Sequence, residues 1–440
     1  MNESYSKEID KRGKKVMEFF ISESNINDKK YKRSYDEHWS FKDGNMGELV
    51  HKIHPYPAMM MPLIARELFV TYGKGKDTIF FDPYVGSGTT LVEAQYYGAK
   101  KAIGIDLNPL AILIARTKTE SINLSKVEQA FSKLDDYLFD NRSYEIPEFS
   151  IRDSWFSEKT IISLSKIRSF VFSNDDDTVM DFFKVAFSEV VRSSSETRNG
   201  EFKLYRMTKK SLENFNPDPM EMFKNVVIRN LHLMKAISYK KETDIQIYTA
   251  DTRNVMSYSG LNENVDLIIT SPPYGDSHTT VAYGQFSRLS NEWLGIPNAG
   301  TLDRCLLGGK KVPERSFDIE ELDVAIDMIR ENDKAFNRDR CWEVIAFYND
   351  YEESIEAVAK TVRSGGYVVY VVGNRRVRNI ELPLDVITYK MFEKRGFEHI
   401  TTYVRDIINK RMPSKASPSN AKGGQISTMM YEYIVVMRKK

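Results

Sequence analysis

Over residues 78–118 the sequence alternates strand, turn, helix, strand and helix, and that alternation leaves little room for anything but a parallel sheet covered on both faces. An apolar run ends at Val85, and Gly86 and Gly88 break it. A helix is expected over 89–97, a strand over 101–106, and a second helix opening at Pro109, where proline suits a first turn. Strand patterning returns at 245–251 and 265–270. A helix near 351–362 then leads into a strand at 367–372, a helix at 384–394, and two last strands at 399–407 and 431–437. Between 120 and 243 the period is helical instead, with Ile161, Leu164, Ile167 and Val171 on one face and Met180, Phe183, Phe187 and Val190 on another.

The expected organisation follows. Residues 1–46 form a polar arm, 47–118 the first part of an α/β catalytic domain, 119–243 a helical insertion, and 244–440 the second part of the catalytic domain. That last part carries a polar insertion at 286–346 and a basic loop at 405–425. The stretch KKYKRSY at 29–35 is either a solvated leader or an arm for a nucleic-acid backbone. A chain of 440 residues has ample material for a large core. It contains no run of eighteen apolar residues, and its charged start lacks a signal-peptide pattern, so a soluble cytoplasmic protein is expected, with no membrane contact. Cys305 and Cys341 have no metal-ligand spacing, so no metal is expected, and two unpaired thiols suit a reducing compartment. With 63 basic and 62 acidic residues, any contact with nucleic acid must come from local patches.

Two motifs carry the chemistry. The first is Asp82-Pro83-Tyr84-Val85-Gly86-Ser87-Gly88-Thr89-Thr90. Its glycines let a ligand approach the backbone, and the helix from Thr89 offers free amides. A dinucleotide site would want a third glycine, which is missing here. The carboxylate of Asp82 suits a ligand bearing an ammonium group, and S-adenosylmethionine is one. Asp106, ending the next strand, can accept ribose hydroxyls or serve as a strand cap, and Asp251 can accept from an adenine amino group or cap the following segment.

The second motif, Thr270-Ser271-Pro272-Pro273-Tyr274, falls at the end of the fourth strand, in the crevice where open α/β sheets bind ligands. Its prolines hold carbonyls outward as acceptors. An exocyclic amino group donating both hydrogens, to the Ser271 hydroxyl and the Pro272 carbonyl, pyramidalises so that its lone pair can attack a methyl group, with Tyr274 stacking on the base. No cysteine follows the proline pair, which favours direct transfer to nitrogen over covalent addition at a ring carbon. A base inside a duplex must first be flipped out, at roughly a few kcal/mol.

These residues resemble the S-adenosylmethionine-dependent amino-group DNA methyltransferases, which modify cytosine N4 or adenine N6 and usually belong to bacterial restriction–modification systems. Asp82–Thr90 resembles the family's cofactor loop, with Tyr84 where phenylalanine is commoner. Gly104-Ile105-Asp106-Leu107-Asn108-Pro109 resembles the ribose-binding motif, and His54-Pro55-Tyr56-Pro57-Ala58 the segment on the methionine side. Serine before the prolines is more typical of cytosine-N4 enzymes. The resemblance implies a seven-stranded, mostly parallel, doubly wound sheet whose last strand is inserted antiparallel. It implies S-adenosylmethionine held by His54, Pro55, Tyr56, Ala58, Asp82, Tyr84, Gly86, Ser87, Gly88, Thr89, Asp106, Leu107, Asn108, Asp251 and Thr252. Ser271, Pro272, Pro273 and Tyr274 would be the catalytic residues. Double-stranded DNA is the implied substrate, with a cognate endonuclease acting separately and a nucleoid-associated location. The motif order is cofactor first, whereas many cytosine-N4 enzymes are permuted, so analogy does not place target recognition. Candidate DNA contacts are Arg198, Lys203 and Arg206 in the helical insertion, Asp276 and His278 after the proline pair, Lys310 and Lys311, and Lys410, Arg411 and Lys415.

Overall fold

The computed structural model describes residues 31–42, 49–139, 143–198, 200–236, 242–257, 261–277, 280–336, 339–407 and 431–440, together with four short strands at 6–9, 15–18, 415–416 and 426–427. Eight strands form the central sheet: β1 (Arg33–Tyr35), β2 (Ile79–Asp82), β3 (Lys101–Asp106), β4 (Asp244–Thr249), β5 (Val265–Thr270), β6 (Val362–Val372), β7 (Phe397–Asp406) and β8 (Tyr431–Lys439). Their spatial order is β1-β7-β8-β6-β5-β2-β3-β4. Strands β2 to β6 pair parallel wherever they meet. β8 runs antiparallel to both β6 and β7, as the resemblance implied for the final strand.

One strand more than the expected seven is present. Arg33–Tyr35, inside the expected polar arm, pairs parallel with Thr402–Val404 of β7. Its anchor is Asp385, fully buried, which accepts from Arg33 Nε at 2.7 Å and Nη2 at 2.9 Å, from Tyr31 Oη at 2.6 Å and from Asn374 Nδ2 at 3.0 Å. An arginine and a tyrosine in a polar stretch look like solvated residues in sequence, and their carboxylate partner lies far along the chain.

Period-2 alternation sorts the strand residues into two cores. Phe81, Ile268, Val368, Tyr370, Val435 and Met437 face one layer, where they meet α9 (Cys341–Thr361) and α10 (Leu384–Glu393). Phe80, Leu267, Ile269, Val369, Val371, Ile434 and Val436 face the other, against α1 (Pro62–Tyr72) and α2 (Thr89–Tyr97). The chain runs outward from β2 through β3 to β4, then returns to place β5 on the other side of β2. Order therefore reverses between β2 and β5, the position where doubly wound sheets open a crevice at their carboxyl ends.

The helical insertion is present, built on α4 (Glu158–Phe172), α5 (Asp177–Ser193) and α6 (Pro219–Lys235), capped by the side chains of Ser157, Asp176 and Asp218. Its core joins α3 (Pro109–Thr119) through Leu110, Ala111 and Ile114. The segment expected as one polar insertion at 286–346 is divided. Its first helix, α7 (Tyr283–Trp293), places Phe286, Leu289 and Trp293 in the helical core, whereas α8 (Glu320–Phe336) packs its Leu322, Ala325, Ile326 and Ile329 beside α9. The spacing of those apolar residues is amphipathic, and polar neighbours masked it.

Candidate active site

A cleft opens where β2 and β5 end, and it draws on every segment that the two motifs marked. Its walls include Tyr56, Ala58, Asp82, Tyr84, Gly86, Ser87, Thr89, Asp106, Leu107, Asn108, Asp251, Thr252, Ser271 and Pro273. Together with its mouth it holds about 910 Å³ of empty space. Gly86 has φ +49° and Gly88 φ +82°, and a Cβ on Gly88 would lie 2.8 Å from Ala115 Cβ. The glycines therefore serve two ends: left-handed backbone, and seating of the cofactor loop against α3.

Asp82 is buried at the end of β2. Its carboxylate accepts from Thr90 Oγ1, from Thr270 Oγ1 at 2.6 Å and from the Tyr84 amide at 3.0 Å. Burial pushes its pKa up to about 6 against the opposing pull of those hydrogen bonds. Its first structural role is thus to tie the glycine loop to Thr270, the last residue of β5. Asp106 closes β3 and accepts from the Gly86 amide at 3.0 Å and the Asn108 amide at 2.8 Å, and burial likewise raises it to about 6. Asp251 is clamped by Arg253, whose Nε and Nη2 donate to it at 3.0 and 2.6 Å; Arg253 also pairs with Asp350. Thr252 donates to the Pro83 carbonyl, and the Tyr84 hydroxyl donates to Ser354 Oγ at 2.6 Å.

Asn108 caps α3 and donates from Nδ2 to Tyr56 Oη at 2.9 Å and Ser287 Oγ at 2.6 Å. The Tyr56 ring stacks on Tyr283, 6.2 Å between centroids. His54 is buried behind this wall and does not line the cleft. Neither ring nitrogen has a hydrogen-bond partner among the described residues, and burial next to Lys118, Arg229 and Arg192 pushes its pKa down to about 3. Pro55 is exposed, and neither it nor Gly88, Pro272 or Tyr274 lines the cleft.

At the Ser-Pro-Pro-Tyr motif Ser271 Oγ lies 3.3 Å from Tyr274 Oη. Tyr274 donates to Glu432 Oε1 at 3.1 Å, and Arg405 Nη1 holds the other Glu432 oxygen at 2.9 Å. Arg405, expected in a basic loop, is therefore buried as the partner of a β8 carboxylate.

The expected DNA contacts separate. Asp276 is fully buried and pairs with Arg375 at 2.8 Å, so it stiffens the loop after the proline pair rather than facing solvent; a short acidic loop residue gave no sign of that distant partner. Arg198 is exposed and Lys203 half-buried, while Arg206 is exposed and paired with Glu196. All three lie on a turn closed by the Thr197–Arg206 bridge, with Phe202 and Tyr205 exposed beside them. Lys310 and Lys311 are exposed, and follow Leu306 and Leu307, which line the cleft. His278, Lys410 and Arg411 lie outside the described residues, as does the side chain of Lys415. Sequence reasoning missed Thr90, Tyr283, Leu306 and Leu307 as cleft residues. Thr90 stood within the motif, whereas the other three come from segments with no motif of their own.

The strand order and the cleft at its reversal define a Rossmann-like methyltransferase fold with a helical insertion. No family profile matches the chain. It is 37% identical over 434 residues to the type II methyltransferase M.MvaI of Kocuria varians, covering 92% of this chain and 94% of that one. It is 21% identical over 418 residues to the type II methyltransferase M.BsoBI of Geobacillus stearothermophilus, covering 82% and 81%. The chain belongs to the type II methyltransferases. Among solved structures, the rRNA methyltransferase aviRa of Streptomyces viridochromogenes aligns over 89% of this chain and 90% of its own, with 12% identity and a TM-score of 0.31.

The donor set fits S-adenosylmethionine. Two carboxylates sit at the ends of β2 and β3, a third at the end of β4, aromatic and apolar walls lie between them, and the glycine loop permits close approach. Among the described residues, no cluster of three or more His, Cys, Asp or Glu side chains could hold a metal, and no helix is long and apolar enough to cross a membrane.

Proposed function

We propose that the protein is a site-specific DNA methyltransferase acting on the exocyclic N4 amino group of a flipped-out cytosine in duplex DNA. One observation carries the reading: Ser271, directly after the strand beside β2, opens into the same cleft as the glycine loop and Asp106. The target amine and the methyl donor can thus meet at one strand boundary. When bound, S-adenosylmethionine supplies an electrophilic methyl group.

The chain supplies the rest. Asp106 retains acceptor capacity for ribose hydroxyls beyond the two amides it already takes. Tyr283 and Tyr56 offer ring faces along one wall. Ser271 Oγ accepts one hydrogen of the target amine, which raises the nitrogen's nucleophilicity by opposing delocalisation into the ring. Glu432 holds the Tyr274 hydroxyl, fixing the ring beside Ser271 at the edge of the cleft. With no thiol beside Ser271, attack comes directly from nitrogen. Both free cysteines lie elsewhere: Cys341 is buried on α9 and Cys305 is exposed near the Arg253 guanidinium.

The test is to incubate the protein with unmethylated duplex DNA and methyl-labelled cofactor, then digest to nucleosides. Label in N4-methylcytosine is expected; label in N6-methyladenine overturns the base assignment, and label only with single-stranded RNA overturns the substrate.

A further inference from the structure

Ser271 opens into the cleft, and among the described residues the hydrogen-bond partner of its Oγ is Tyr274 Oη at 3.3 Å. Tyr274 Oη reaches in turn to Glu432 Oε1 at 3.1 Å, on β8. The chain of contacts ends there, because Arg405 Nη1 takes the other Glu432 oxygen at 2.9 Å. Its directions are forced. A carboxylate accepts and does not donate, so Tyr274 donates to Glu432. The phenol oxygen then accepts the Ser271 hydrogen, and the lone pairs of Ser271 Oγ are left for a donor in the cleft.

The other charged groups close to Ser271 are poorly placed to take a proton. Arginine stays protonated, so Arg405 cannot. Asp82 is buried and already accepts from Thr90, Thr270 and the Tyr84 amide, and Asp276 is turned to Arg375. Glu432 differs from these. Its side chain is 20% exposed, so the far end of the chain of contacts meets solvent.

We propose that Ser271, Tyr274 and Glu432 form a relay that carries away the proton released by the target amine, with Glu432 as its terminal acceptor. The nitrogen lone pair forms the bond to the methyl carbon, and the carbon–sulfur bond breaks with its electron pair left on sulfur as a thioether. As the new bond forms, the nitrogen sheds one hydrogen as a proton to Ser271 Oγ. The Ser271 hydrogen passes to Tyr274 Oη and the Tyr274 hydrogen to Glu432, which becomes the neutral acid and later discharges to water. Desolvation, and then the Glu432 carboxylate, hold the Tyr274 phenol well above its ordinary value of 10, so no phenolate forms midway and the hydrogens shift together. Before that shift, the Glu432 charge acting through two hydroxyls makes Ser271 Oγ a stronger acceptor. Glu432 is thus a positioning residue, acting through Tyr274 and Ser271. The inference rests on reading Ser271 as the acceptor of the target amine, and it holds for the amine of either base.

Single-turnover methylation of duplex DNA tests it, with KM for DNA and for S-adenosylmethionine measured alongside. Glu432→Gln keeps the size of the side chain and removes its charge. The rate should fall about tenfold to a hundredfold while both KM values stay within about twofold. In wild type the rate should drop in D2O with a curved dependence on deuterium content, the mark of several protons moving together, and that curvature should vanish in Glu432→Gln. Tyr274→Phe cuts the relay in its middle, should lose the curvature as well, and carries the test should Glu432→Gln fail to fold. An unchanged rate in both variants, or a lowered rate with the curvature retained, overturns the relay while leaving the amine reading standing. Wild-type protein that methylates no DNA overturns that reading and the relay together.

Discussion

Asp82 and Asp106 are both raised to about 6 by burial, against an ordinary value of 3.8. A folded-state pKa above the unfolded one means the native state binds more protons in between. Stability from these groups is therefore lost as pH rises from about 4 to about 6 and is constant above that window. Asp106→Asn should flatten the ligand-free protein's denaturant stability between pH 4.5 and 7 relative to wild type, by about 2 kcal/mol; an unchanged slope would contradict the assignment. On the proposed function, Ser271→Ala should lower kcat by about tenfold to a thousandfold, by loss of an acceptor used as the amine reacts. Tyr274→Phe keeps the ring and loses the hydroxyl's contacts with Glu432 and Ser271, so it should cost less than Tyr274→Ala, measured as single-turnover rates. The motif residues were legible in sequence because their chemistry is local. Arg253, Arg375 and Glu432 were not, since each gains meaning from a partner that only folding brings near.

The sheet elements were read closely where both faces are apolar. The expected strand at 101–106 and the helix at 89–97 match β3 and α2, because glycines and aspartates punctuate them. β1 escaped notice because three residues of an edge strand carry no periodicity, and its hold on the sheet is a polar cluster rather than an apolar stripe. That cluster gives a prediction at the element scale. Arg33→Ala leaves the fully buried Asp385 short of its charge partner and should cost about 3 kcal/mol or more, seen as a lowered thermal midpoint. An effect under about 0.5 kcal/mol would mean that β1 is dispensable. At the cofactor loop, Gly88→Ala meets both a positive φ and Ala115, so a loss of about 2 kcal/mol with weakened ligand binding is expected in the same assay.

For the whole molecule, a net charge of +1 leaves DNA affinity to local patches. Lys310 and Lys311 are an exposed basic pair on the segment that follows the cleft residues Leu306 and Leu307. Replacing both with alanine should reduce the slope of log K against log salt for duplex binding by about 2, with little effect on stability. The helical insertion was legible as helical, but its union with α7 was not, because the joining face is spread over two distant segments. The central claim is that one cleft joins a methyl donor to a cytosine amine. Expressing the protein in a host free of DNA methylation and sequencing the genome for modified bases tests it most directly. N4-methylcytosine at one recurring sequence is predicted, absent in the Ser271→Ala strain. N6-methyladenine, or no modified base at all, would contradict it.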